Sequence, residues 1–307
     1  MKNQVKIWAP ATVANLNVGF DALGCALHEP GEELVIRRTE EAGMVRIVKI
    51  EGADLDATAE NNVAGVAAKS LLNALGNPCG LEIELIKKVK PGSGLGSSAS
   101  SAAGAVVGVN ALLEAGLRPD ELIPFALDGE ELASGARHSD NVAPAVLGGL
   151  VLSGPDGSIK QIPAPRDWHL VLLHPQITIR TSEARAVLPE SVPLKDAVRQ
   201  NALFATFIAA CFEGNGAEAA LNMDDLLVGP HRQGLIPHFE QMREASMGSG
   251  ARAMGIAGSG PSSFHIAMCL EDAHAIASKL SEIMKVEAVP FELYITEISL
   301  QGARVIS

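Results

Sequence analysis

The chain has 307 residues, 47% of them apolar and 20% charged, with a formal net charge of −12 and a sequence pI near 5.1. This composition excludes a disordered chain, which is poor in apolar residues, and a nucleic-acid protein, which needs a basic stripe along the phosphate backbone. No stretch reaches the roughly 18 to 20 unbroken apolar residues that span a bilayer, and the N-terminus has no apolar signal core, so a cytoplasmic protein without membrane or nucleic-acid partners is expected.

The length favours two packed units. Cys25, Cys79, Cys211 and Cys269 lie far apart and form no CxxC pair, which leaves isolated thiols rather than a cysteine metal site. In chain order, VKIWAP (5–10), ELVIRRT (33–39) and MVRIVKIEG (44–52) read as strands, and NNVAGVAAKSLLNALG (61–76) as a helix stopped by Gly76. LEIELIKKV (81–89) alternates like a half-buried strand, with IKKVK (86–90) as its basic end. An Ala-rich helix follows from Ser97 to about Gly116, with Gly104 and Gly108 placed for close packing on a sheet, and then a helix from Pro119 to about Gly135. LGGLVLSG (147–154) returns as a strand. The prolines of IPAPRDWHLVLL place a boundary near residue 166, giving units 1–166 and 167–307. Beyond it come a strand (169–175), helices from about 182 to 247, two strands (251–258 and 262–270), a helix (271–285) and a terminal strand (292–299). Interspersed strands and helices in both halves favour an α+β pair of domains.

PGSGLGSSASSAAGA (91–105) runs into the Ala-rich helix and contains no Lys. A helix N-terminus carries unpaired N–H groups and partial positive charge, so it binds an anion without a cationic side chain. Gly92, Gly94 and Gly96 permit close backbone approach, and Ser97 and Ser98 offer hydroxyls to phosphate oxygens or to a hard cation. Taken alone, such a loop is equally a turn before a helix.

The longer stretch, with its GLGSSA core, resembles the phosphate loop of the small-molecule kinases named for galactokinase, homoserine kinase, mevalonate kinase and phosphomevalonate kinase. APATVANLNVGFDALGCAL (9–27) resembles the N-terminal substrate motif of that superfamily, and MGIAGSGPSSF (254–264) its C-terminal glycine-rich loop. The first of these, together with HSDNVAPAVLGG (138–149), TSEARAVLPE (181–190) and VGPHRQGLIP (228–237), is similar to the homoserine kinase branch in particular.

The resemblance implies an N-terminal domain like ribosomal protein S5 domain 2, with a left-handed β-α-β crossover, a ferredoxin-like C-terminal domain, a cleft between them, and a homodimer. It implies ATP as co-substrate, Mg2+, and L-homoserine as phosphoryl acceptor. By the same resemblance, the nucleotide set is Asn62, Pro91, Gly92, Ser93, Gly94, Leu95, Gly96, Ser97, Ser98, Ala99, Ser100 and Ser101. Ser98 and Glu130 are the Mg2+ ligands, with the adjacent Glu131 as the alternative. Asp21 takes the substrate ammonium, Asn15 meets the hydroxyl end, Arg185 and Arg232 clamp the carboxylate, and His138 and Gly260 complete the substrate site. Asn141 orients the hydroxyl; whether Asp140 serves as a base stays open. Asn17 departs from the small residue expected at its place and is given a backbone role. On the residues alone, Asn15, Asn17 and Asp21 would pass for turn formers, the two arginines for surface residues and AGSGPSS (257–263) for a hairpin. Two rival readings remain: a superfamily kinase for another alcohol such as mevalonate, which would leave Asp21 without an ammonium partner, and a nucleotide-binding regulator without turnover.

Overall fold

The computed structural model describes residues 2–307. Strands β1 (Gln4–Ala14), β2 (Leu23–Thr39), β3 (Val45–Glu51), β4 (Gly80–Ile86), β5 (Leu150–Ser153) and β6 (Ile159–Ile162) build the first sheet. β2 is longer than its sequence pattern indicates. Its first part pairs with β5 and its second with β4, while β1 runs antiparallel along it with an irregularity between Pro10 and Thr12. β3 and β4 are parallel and are joined through helix α1 (Val63–Ala74). That helix ends as expected, with Gly76 just past its end at a φ of 80°.

Helices α2 (Ser97–Leu113) and α3 (Pro119–Ser134) cover this sheet together with α1, and a core of Val, Ile, Leu and Ala side chains fills the space between. Gly104 and Gly108 let α2 settle on β2: a Cβ at either would come 2.4 Å from a Leu34 or an Ile36 methyl. The segment HSDNVAPAVL, to which the sequence reading assigns no element, is a helix. This α4 (Ser139–Leu147) tolerates Pro144 inside it and has His138 as its N-cap residue.

The second sheet has the order β10-β7-β9-β8 and is antiparallel throughout, from β7 (His169–Pro175), β8 (Ala253–Ile256), β9 (Ser263–Ala267) and β10 (Phe291–Thr296). Between β7 and β8 come α5 (Thr181–Ala186), α6 (Leu194–Glu213), α7 (Gly216–Leu221), α8 (Gly229–Arg232) and α9 (Phe239–Gly248), and α10 (Leu270–Val286) joins β9 to β10. This order and connectivity make the ferredoxin-like arrangement. Two strands were not legible in the sequence: β6, and a two-residue β11 (Arg304–Val305) that returns to pair with β1 of the first sheet.

A shared core joins the halves. Ala11, Val13 and Leu16 from the end of β1 and just beyond it meet Trp168, Leu170, Phe207 and Phe264 from the second half. Among the described residues no helix is long and apolar enough to cross a membrane.

Candidate active site

The N-terminus of α2 opens into a cleft of about 570 Å3, walled by the first half around residues 55–63, 87–101 and 130–141, and by the second around 178–182 and 258–259. Gly92, Gly94 and Gly96 all have positive φ, and Gly96 is the α2 N-cap. The close approach is real at Gly94, where a Cβ would sit 2.4 Å from the Ala257 carbonyl oxygen and 2.7 Å from that of Gly260. The Ser262 amide donates to the Ser93 carbonyl at 3.1 Å, so the two glycine loops, one from each half, lie against each other. The first turn of α2 leaves backbone N–H groups without helical acceptors, directed where an anion would sit.

Glu130 is buried on α3 at the wall of this cleft, and its Oε2 has no hydrogen-bond partner. Burial pushes its carboxyl up to about 7; the Ser98 hydroxyl bonded to it and the Lys87 ammonium pull the other way, and the Asp140 charge adds to the rise. A hydroxyl and a carboxylate with one orphaned oxygen fit a hard divalent cation, which takes oxygen donors. The neighbouring Glu131 is exposed and faces Arg137 at 3.6 Å, so of the two glutamates Glu130 is the one in the cleft.

Lys87 is the residue that sequence reading missed. It reads as the exposed end of a strand, yet it is buried beneath α2, with Nζ 2.6 Å from Glu32 and donating to the Ser97 carbonyl and the Ser101 hydroxyl at 2.9 and 2.7 Å. The expectation of a phosphate site with no ammonium nearby is therefore corrected: one lies at the cleft floor, already paired. Other members of the nucleotide set have structural work. The Ser97 hydroxyl donates to the Val89 carbonyl and that of Ser100 to Pro10, which leaves these residues only their backbone for a phosphate. Leu95 packs into the shared core, and Leu95, Ala99 and Ser100 are not among the cleft-lining residues. Asn62 lines the cleft, but its amide caps α1 by accepting from Ala64 and donates to the Asp56 carbonyl.

The opposite end of the site is built by the turn after β1. Asn15, Leu16, Asn17 and Asp21 all have positive φ, a run in which polar Asn and Asp are the residues that tolerate the strain best. The Asn15 amide donates to the Gly258 carbonyl at 2.9 Å and accepts from the Asp21 N–H at 3.0 Å. Asn17 does more than shape the backbone: its amide nitrogen donates to the carbonyls of Met223 and Met254, tying the turn to the second half. Asp21 accepts two hydrogen bonds from Arg185 at 2.9 and 3.0 Å, and the same guanidinium nitrogen lies 3.1 Å from His138 Nε2. Arg232 is buried. It donates to the carbonyls of Ala184 and Gly258 and, among the described residues, forms no ion pair.

Between the two ends stands the start of α4. Asn141 lines the same cleft, and its Oδ1 accepts from the buried Thr12 hydroxyl at 2.6 Å. Asp140 is buried beside it. Burial first, and then the Asp21 charge, pushes its carboxyl up to about 7, against the Asn141 N–H and Arg185.

These features can be set beside known proteins. Residues 61–149 match the family model described as the GHMP kinases N terminal domain. The homoserine kinase of Pyrococcus abyssi is 37% identical over 301 residues, covering 97% of this chain and 98% of that protein. That of Xylella fastidiosa (strain 9a5c) is 36% identical over 306 residues, 99% of this chain and 94% of its own length. The chain belongs to the homoserine kinase family. The crystal structure of homoserine kinase from Cytophaga hutchinsonii superposes with a TM-score of 0.95 at 37% identity, covering 100% of this chain and 98% of that one. A mevalonate kinase from L. major, solved with R-mevalonate, has a TM-score of 0.74 at 16% identity over 98% of each chain and shares the fold. The chain thus has the two-domain α+β architecture of the GHMP kinases. For a family member the arrangement makes chemical sense: one end of the site is suited to phosphates, the other carries one carboxylate and two guanidiniums, and a hydrogen-bonded asparagine stands where they meet.

Proposed function

We propose that the protein transfers the γ-phosphoryl group of ATP to the side-chain hydroxyl of L-homoserine, releasing ADP and O-phospho-L-homoserine for threonine synthesis. The observation that carries this reading is the pairing of Asp21 with Arg185 beside the unpaired, buried Arg232. That set is complementary to an α-amino acid: the ammonium takes Asp21 and the carboxylate takes the arginines, so the zwitterion replaces the internal ion pair without leaving a buried charge alone. Guanidinium forks suit a carboxylate because they offer paired charge-assisted hydrogen bonds. Mevalonate, a carboxylate without an amine, would strand Asp21.

The nucleotide phosphates are assigned to the 92–98 loop and the α2 N-terminus. Ser98 and Glu130 would hold Mg2+, which when bound supplies positive charge to the phosphate oxygens. Asn141, fixed by Thr12, holds the acceptor hydroxyl toward the phosphate end. Phosphoryl transfer passes through a loose transition state in which the alcohol loses its proton late, so positioning supplies most of the acceleration and a strong base is dispensable. In this reading the active site lies between units 1–166 and 167–307 of a cytoplasmic homodimer.

ADP release measured with L-homoserine, mevalonate, shikimate and galactose tests the proposal. Turnover with homoserine alone, abolished by EDTA and restored by Mg2+, is the expected result. Preference for another alcohol, or nucleotide binding without transfer to any of the four, would overturn it.

A further inference from the structure

Phe20 stands between Gly19 and Asp21 in the turn that builds the amino-acid end, and its ring has no polar atom to offer a substrate. Both guanidiniums of that end nevertheless lie over it. The Cζ of Arg185 is 5.6 Å from the ring centroid and that of Arg232 is 5.1 Å, inside the ~6 Å within which the ring quadrupole attracts a cation.

Two like charges side by side need something to hold them. Burial first, and then the Arg185 charge, pulls Arg232 below the usual guanidinium range. Arg185 has Asp21 at 2.9 Å, whereas Arg232 hydrogen-bonds the neutral carbonyls of Ala184 and Gly258 and feels the Asp21, Asp225 and Asp140 charges without pairing with them. The Asp21 pair must also open when a substrate ammonium arrives, and Arg185 then exchanges its counter-charge for the substrate carboxylate. The aromatic ring is the contact common to both arginines that such an exchange leaves in place.

The ring itself is constrained from the backbone. A Cβ at Gly19 would fall 2.3 Å from the Leu23 Cβ, and Asp21 has a φ of 57°, so the turn has little freedom on either side of Phe20. The ring also borders a cavity of about 220 Å3 whose wall mixes apolar Val18, Leu188, Pro189 and Leu227 with polar Gln200 and Asp225.

Resting on the reading of this cleft as an amino-acid kinase site, we propose that Phe20 is a positioning residue for carboxylate selectivity, whose ring holds Arg185 and Arg232 together at the carboxylate end of the substrate. The ring touches no reacting atom; it acts through the two arginines.

Steady-state kinetics of the full-length wild type, Phe20→Leu and Phe20→Tyr test this. Leu keeps apolar bulk and removes the quadrupole; Tyr keeps the aromatic ring and adds only a hydroxyl. Phe20→Leu is expected to raise the KM for L-homoserine about tenfold, the size expected for two partly desolvated cation–ring contacts. The kcat and the KM for ATP should move by less than about twofold, since the loss is confined to ground-state and transition-state binding of one group. The inhibition constant of 3-aminopropan-1-ol, which keeps the hydroxyl and amine but lacks the carboxylate, should not move. Phe20→Tyr should restore the wild-type KM. An unchanged homoserine KM in Phe20→Leu, a parallel loss of affinity for 3-aminopropan-1-ol or ATP, or a Tyr variant as poor as Leu each overturns the proposal. A wild type with no homoserine-dependent turnover overturns the functional reading and this proposal with it; a wild type that turns over homoserine beside an unaffected Leu variant overturns this proposal alone.

Discussion

Asp140 accepts a hydrogen bond from the Asn141 N–H at the first turn of α4 and is raised from 3.8 to about 7, chiefly by burial. An acid whose folded pKa lies above its unfolded value stabilises the fold fully below the unfolded pKa, and that contribution is lost as pH rises through the folded value. Between pH 4 and pH 8 the wild type should therefore lose stability relative to Asp140→Asn by at most about 4 kcal/mol, and denaturant midpoints of the two proteins at both pH values give the difference. The same variant addresses catalysis. If positioning carries the reaction, Asp140→Asn keeps measurable turnover, with kcat down by less than about 100-fold, whereas loss of an obligatory base removes it. A variant that binds ATP and homoserine normally and does not turn over would make Asp140 the base. At this scale Asp21, Glu130, Arg185 and Arg232 are legible only through the motifs around them; each alone is an ordinary polar residue. Lys87 is not legible at all. Its burial depends on Glu32, brought opposite it by the register that pairs Glu33 with Ile86 across β2 and β4, and no local pattern encodes that register.

Three elements converge on one residue. Thr12, near the end of β1, donates its backbone N–H to the Leu95 carbonyl in the phosphate loop at 3.1 Å and its side-chain hydroxyl to Asn141 on α4 at 2.6 Å. β1 thereby sets the start of α2 and the start of α4 relative to each other. Replacing Thr12 with Val keeps the shape and removes the donor, which leaves the Asn141 amide free to rotate. The expected outcome is a fall in kcat of about 10- to 100-fold with KM for ATP and homoserine within about threefold, because misorientation of a positioning group is felt in the transition state. Equal rises in both KM values with kcat intact would show that Thr12 only supports binding. α1, α2, α3 and α10, the helical stretch between residues 182 and 247, and most strands are recovered from the sequence, and α1, α2 and α3 are each followed by a glycine within a few residues of their ends. α4 is lost because it is short, contains Pro144 and ends at Gly148 and Gly149, all of which read locally as loop. β11 is lost because two residues carry no period; its pairing comes from the β1 edge.

Across the whole molecule, the end of the chain supports the middle of the site. After β10 the backbone returns to the first sheet. The Ser299 N–H donates to Ala26, the Ala303 N–H to the Ala145 carbonyl on α4, and the Ile306 N–H to Lys6. Gly302 lies so close to α4 that a Cβ there would meet the Val146 carbonyl oxygen at 2.1 Å and the Gly148 nitrogen at 2.8 Å. These are backbone atoms and cannot swing aside as a side chain would. Gly302→Ala must therefore shift either the tail or α4, the helix whose other end carries His138, Asp140 and Asn141. Overpacking of this kind costs about 1 to 3 kcal/mol, which a denaturation curve would register. The kinetic signature tells which element moves. If α4 yields, kcat falls and homoserine KM rises while KM for ATP, set mainly by the α2 loop, holds. If the tail yields, stability drops and both constants stay at wild-type values. We expect the second outcome, because α4 is locked by Val142, Ala143, Ala145 and Val146 in the core of the first sheet, whereas the tail is exposed at Leu300, Gln301, Val305 and Ile306 and has backbone hydrogen bonds as its main hold.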